Sequence, residues 1–98
     1  MNYKQFDPEQ CYDSVTEELF QYVIARDNEL CQVTGGQGHE VHHVKYKSKG
    51  GKNKANNLIL LSMDSHNGKN GEHRKHRDVD YYYSRIKANE KRFRRELV

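Results

Sequence analysis

The sequence contains no tryptophan, one proline and only two cysteines among its 98 residues. It also has no long hydrophobic stretch. The longest uninterrupted apolar runs are Tyr22 to Ala25 and Leu58 to Leu61, four residues each. Runs that short exclude a membrane-spanning helix and read as no signal-peptide core. Cys11 and Cys31 make neither a disulfide framework nor a C-x-x-C metal knuckle. With so little cysteine, the expected setting is cytoplasmic. Apolar content is low as well: 34% hydrophobic residues against 32% charged, and a mean hydropathy of −1.17. A chain of this length has room for a single domain, 1–98, whose small core needs an additional source of order. Seven tyrosines, three phenylalanines and a net charge of only +3 argue against disorder as the explanation of that polarity.

What is present is unevenly placed. Residues 1–44 carry two basic and eight acidic side chains, a balance of −6, whereas residues 45–98 carry fifteen basic and six acidic, a balance of +9. The densest positive block holds Lys45, Lys47, Lys49, Lys52 and Lys54 with no acid between them. A basic half on a small chain points to a polyanion, nucleic acid first.

Local pattern suggests an α+β chain. Asp7-Pro8-Glu9-Gln10 has the form of a helix start, and Ser14-Val15-Thr16-Glu17 offers a second capping box. One or two helices are therefore expected across 8–27, with Leu19, Phe20, Val23 and Ile24 buried. Beyond the glycines at 35, 36 and 38, Cys31–Val33 and Glu40–Val44 are β-prone and read as a hairpin. Lys45 to Asn57 reads as a polar loop around Gly50-Gly51, and Leu58–Leu61 as a short buried strand. Ser62 or Asp64 would cap a helix through His66. Val79, Tyr82 or Tyr83, Ile86, Phe93 and Leu97 mark one stripe of a long basic helix within 74–96.

Six histidines are many for this length, and their placement carries more information than their number. His42 and His43 are adjacent, so on a strand they point to opposite faces and cannot both ligate one ion. One can face a cation while the other faces a substrate. His66 and Asn70 share one face of the next helix. Imidazole and amide groups converging from strand and helix can hold a divalent ion that neutralises a phosphate. A neighbouring histidine can take a proton from water.

Together, Glu40-Val41-His42-His43-Val44, Gly50-Gly51, Asn57-Leu58-Ile59-Leu60-Leu61 and His66 resemble the HNH endonuclease motif of the ββα-metal nucleases. The lead-in Arg26-Asp27-x-x-x-Cys31-Gln32 resembles the segment that precedes the motif in small phage and bacterial members. The resemblance implies a ββα-metal core over about 31–73, flanked by helical segments at 8–27 and 74–96. It implies His43 as the general base and Asn57 as the residue that holds the base-bearing loop through backbone hydrogen bonds. His42, His66 and Asn70 would be the metal ligands. Asn70 stands where many members have histidine. His73 is chemically a better donor but lies about 10 Å along an ideal helix from His66, and joins only if Gly68 or Gly71 breaks that helix. The ion would be Mg²⁺ or Mn²⁺, with Zn²⁺ or Ni²⁺ also compatible with imidazole ligands. Many members bind a structural zinc through two C-x-x-C pairs. Here only Cys31 remains of those four positions, so no structural zinc is expected.

The implied function is metal-dependent hydrolysis of DNA phosphodiester bonds, with nicking and low sequence specificity. Lys45, Lys47, Lys49, Lys52 and Lys54 would contact the backbone, and Arg74, Lys75, Arg77, Arg85, Lys87, Arg92, Arg94 and Arg95 would lengthen the footprint. The implied partner is DNA, with a homodimer or a phage protein as further candidates. The competing reading is a non-catalytic DNA-binding or adaptor module on a degenerate scaffold, favoured by Asn70 and the missing cysteines and opposed by the intact His42-His43 and His66.

Overall fold

The computed structural model describes residues 2–63 and 79–98. His66, Asn70, His73, Arg74, Lys75 and Arg77, together with the helix expected through His66, lie outside the described residues. The architecture is α+β: helix α1 (Glu17–Arg26), strand β1 (Glu40–His43), strand β2 (Leu58–Leu61) and helix α2 (Val79–Glu96). Short 3₁₀ turns at Lys47–Lys49 and Ala55–Asn57 shape the loop between the strands. No helix among the described residues is long and apolar enough to cross a membrane.

Helix α1 is shorter than its sequence pattern suggests. Asp7-Pro8-Glu9 forms only a local turn, with the Glu9 amide donating to Asp7 Oδ1 at 2.9 Å. The cap is Thr16 rather than Ser14, its hydroxyl accepting from the Leu19 amide at 3.2 Å. Glu17 and Glu18 in the first turn and Arg26 in the last complement the helix dipole. The buried face is Leu19, Tyr22, Val23 and Arg26, while Phe20 and Ile24 are only half-buried. The helix ends where Asn28 and Glu29 take positive φ of 60° and 62°.

The hairpin also differs from expectation. β1 pairs antiparallel with β2, His42 opposite Ile59 and His43 opposite Leu58. Cys31–Val33 forms no strand. Instead, Leu30 makes an isolated bridge to Gln37, and Cys31 is buried among Val44, Ile59, Leu61, Tyr82 and Ile86. All four β2 residues are fully buried because the sheet is covered on both faces, which explains an unbroken apolar run in place of alternation. Leu58 and Leu60 face α1 and the N-terminal segment, joining Phe6, Tyr22, Val23 and Phe93. Ile59 and Leu61 belong to the second cluster, with Tyr82 and Ile86 of α2.

The second edge of β2 is closed by side chains and loop backbone. The Leu60 amide donates to Asp27 Oδ2 at 2.9 Å, and the Leu60 carbonyl accepts from the Gln32 amide at 3.0 Å. Asp27 forms a two-point ion pair with Arg26 (2.9 and 3.0 Å), both side chains fully buried. Arg26 in turn donates to the carbonyls of Ala55 and Leu58 at 2.6 Å each, and Asn89 of α2 donates to Asp27 Oδ1 at 3.0 Å. The three guanidinium nitrogens all meet acceptors, as a buried charge requires. This cluster joins α1, the turn before β2, β2 itself and α2.

Helix α2 buries Tyr82, Ile86, Asn89 and Phe93, and Val79 at its start is exposed. Tyr22 lies between Phe6 and Phe93 and donates its hydroxyl to Glu90. Burial, reinforced by that carboxylate, pushes the Tyr22 phenol far above its ordinary value. Three arginines expected to extend a DNA footprint make hydrogen bonds within the protein. Arg92 donates to the Arg26 carbonyl at 2.6 Å, Arg94 to the Tyr3 carbonyl at 3.0 Å, and Arg85 to Gln32 Oε1 at 2.8 Å. They tie α2 to the rest of the fold; Arg92 and Arg94 are half-buried, while Arg85, like Lys87 and Arg95, is exposed.

Candidate active site

The histidine doublet closes β1, and the pleat separates its two rings. His42 is 2% exposed and stands opposite Ile59, with its ring edge-on to Tyr46 and tilted against Tyr82, each at a centroid distance of 5.8 Å. His43 is half-buried and stands opposite Leu58. Its Nε2 lies 2.8 Å from Oδ1 of Asn53.

The loop after the doublet is held by Asn57. Asn57 is 6% exposed at the end of its 3₁₀ turn. Its Oδ1 accepts from the Lys45 amide at 2.8 Å, and its Nδ2 donates to the carbonyls of Lys45 and Lys52 at 3.0 Å each. The Asn57 carbonyl accepts from the Val44 amide at 2.9 Å, and the Tyr83 hydroxyl of α2 donates to Oδ1 at 3.3 Å. One amide side chain thus fixes both the residue two positions beyond His43 and the return of the loop toward β2.

The glycine pair makes this loop possible. Gly50 has a φ of +87° and ends the Lys47–Lys49 turn, while Gly51 runs so close to Lys45 that an added Cβ would sit 1.8 Å from its carbonyl oxygen. Gly51→Ala should therefore displace the Lys45 backbone that Asn57 holds. We expect a lowered melting temperature together with a loss of any activity that depends on His43, read by circular dichroism and turnover. Gly36→Ala, which meets only Thr34 Oγ1 at an ordinary 3.5 Å, serves as the control.

Of the five loop lysines, Lys45, Lys47, Lys49 and Lys52 are exposed. Lys54 is half-buried and pairs with Glu9 at 3.2 Å, so its charge is partly committed within the protein. A shallow cleft of about 270 Å³ lined by Val44, Lys45, Tyr46, Lys49, Val79 and Tyr83 adjoins this surface.

For a cation, the described residues offer one of the three expected ligands, the His42 imidazole. Among them no group of three or more histidine, cysteine or carboxylate side chains gathers. His66 and Asn70 lie outside the described residues. Two imidazoles and an amide are neutral donors of the kind divalent ions accept, so the donor set suits a metal in its chemistry.

Sequence reasoning passes over Asn53, whose place in a lysine-rich loop reads as polar filler. Its only signal is its position two residues after the glycine pair. The Arg26-Asp27 pair likewise has no assigned role in the sequence pattern.

Residues 29–72 match a family model described as HNH endonuclease. The match includes His42, His43, Asn57, His66 and Asn70, and begins after α1. No curated protein and no solved structure matches the chain.

Proposed function

Starting from a chain whose residues 29–72 match the HNH endonuclease family model, we propose that it is a metal-dependent DNA endonuclease with His43 as its general base. The observation that carries this reading is the held geometry at the end of β1, where Asn57 fixes the loop and Asn53 engages one nitrogen of His43. A base that removes a proton from water needs a fixed ring with one nitrogen available. The other nitrogen, Nδ1, makes no hydrogen bond to a described residue and is the basic site in this reading.

His42, with His66 and Asn70, would hold the ion, Mg²⁺ or Mn²⁺ in preference to Zn²⁺ or Ni²⁺. When bound, it supplies positive charge for the phosphate and the departing 3′ oxygen. The doublet's opposed faces divide the work: His42 serves the ion and His43 the water. The ammonium groups of Lys45, Lys47, Lys49 and Lys52 follow the phosphate backbone and carry little sequence information, which supports nicking with low specificity.

Activity on supercoiled plasmid tests the reading, in Mg²⁺, Mn²⁺, Zn²⁺ and Ni²⁺, each with and without chelator. Chelator-sensitive nicking is the expected result. DNA binding without cleavage in every metal would instead favour an adaptor module. The lysine surface has its own signature. Replacing the four exposed lysines with alanine should lower the slope of log K against log salt by up to about 0.9 for each phosphate no longer neutralised. Lys54→Ala should change it less, because Glu9 already pairs with that ammonium.

A further inference from the structure

We propose that Asn53 is the positioning residue for His43, and that the N-terminal segment before α1 braces it in that role. The inference rests on the reading of His43 as the base. Asn53 is 6% exposed, and its amide orientation is determined by its partners. Nδ2 donates to the Tyr12 carbonyl at 3.1 Å, an oxygen that can only accept. The amide oxygen Oδ1 must then be the atom facing His43, at 2.8 Å from Nε2. Because that oxygen also only accepts, Nε2 carries the hydrogen. In the neutral ring the lone pair is therefore on Nδ1. A single buried amide selects the tautomer and fixes the ring plane, so the basic nitrogen faces away from Asn53.

The brace comes from outside the family match. The Tyr12 amide donates to the Asn53 carbonyl at 2.9 Å, making an isolated antiparallel bridge between the two residues. The Tyr12 ring stacks on Phe6 at 6.2 Å and 16°, and Phe6 stacks on the buried Tyr22 of α1 at 4.4 Å and 22°. Glu9, between Phe6 and Tyr12, pairs with Lys54, the next residue after Asn53. A continuous packed path thus leads from the α1 core through Phe6, Tyr12 and Asn53 to His43. The family match begins at residue 29, so this support belongs to the chain's own N-terminal segment.

The test combines nitrogen-15 NMR of the full-length protein with single-turnover cleavage. In the wild type, neutral His43 should be protonated at Nε2, with a slowly exchanging Nε2 proton, and unprotonated at Nδ1. Asn53→Ala should lose the slow exchange of that proton. Its cleavage rate should fall by about 10- to 100-fold with KM for DNA nearly unchanged, since misorienting a reacting group costs rate more than binding. Asn53→Asp, which keeps an acceptor, should recover the protected proton and part of the rate, and it preserves the test if the alanine variant folds poorly. Protonation of wild-type His43 at Nδ1 would overturn the proposal. So would an alanine variant that keeps both the protected proton and the wild-type rate. Failure of the nuclease reading is separately visible as absent cleavage by the wild type, and the NMR signature then still decides the Asn53–His43 pairing.

Discussion

Replacing His43 with alanine should abolish DNA cleavage while leaving DNA and metal binding close to wild type. General-base catalysis contributes about 10²- to 10⁴-fold in rate, and that is the loss expected from the plasmid assay. Binding should persist because the exposed lysines lie after the doublet and the ligand proposed for the ion on β1 is His42, on the opposite face. Stability should change modestly. His43 is half-buried, but its removal leaves Asn53 Oδ1 without its ring partner, at a cost of about 1–3 kcal/mol. Fluorescence anisotropy with labelled duplex and calorimetry with Mn²⁺ separate binding from turnover. Metal-dependent cutting by His43→Ala at the wild-type rate would refute the assignment of the base.

Asp27→Ala should be the most destabilising single change in the chain, although Asp27 takes no part in the proposed chemistry. Its carboxylate neutralises the fully buried Arg26 and accepts from the Leu60 amide and from Asn89. Removing it leaves a buried guanidinium unpaired and takes an acceptor from two buried donors. Breaking a buried pair from one side costs about 3–5 kcal/mol. For a chain of this size each kcal/mol lowers the melting temperature by about 4–8 °C, so the expected drop is at least about 12 °C by circular dichroism. A change under about 1 kcal/mol, against that expected cost, would show that the cluster is not central to the fold. Turnover per folded molecule should remain near wild type at low temperature, which distinguishes this effect from that of His43→Ala.

Much of the site is legible in the sequence because its residues sit close together in the chain. The doublet, the glycine pair and Asn57 with the apolar run after it form an ordered local pattern, and the structure gives each a definite local geometry. The Thr16 cap and the short α1 are less legible. Asp7-Pro8 satisfies the same local rules as a helix start but forms only a turn, because no apolar face follows it to bury. The strand partner of β1 departs from local expectation for a related reason. Cys31–Val33 is nearer in sequence, so loop closure favours it, yet β2 offers four residues that are withdrawn entirely from solvent in the fold.

The arginines show the limit of charge counting. Arg85, Arg92 and Arg94 look like surface cations in the sequence, but their donors meet backbone carbonyls and Gln32 from distant segments. Nothing in the composition marks these three as bonded within the fold, and Arg85 makes its bond while exposed, like Lys87 and Arg95. The scarcity of apolar residues has a corresponding answer: buried polar groups, Arg26, Asp27, Gln32 and Asn89, share the interior with the two apolar clusters.

The sequence by itself determined the motif, its order and the opposed faces of His42 and His43, because those follow from residue type and a period of two along a strand. It also determined that the interior would be small and that cysteine would not staple it. Only the tertiary structure decided which strand pairs with β1, which arginines bond within the fold and which side chain holds His43. Each of those depends on pairings between residues far apart in the chain, such as Tyr12 with Asn53 and Asp27 with Asn89, and no local pattern encodes such a pairing.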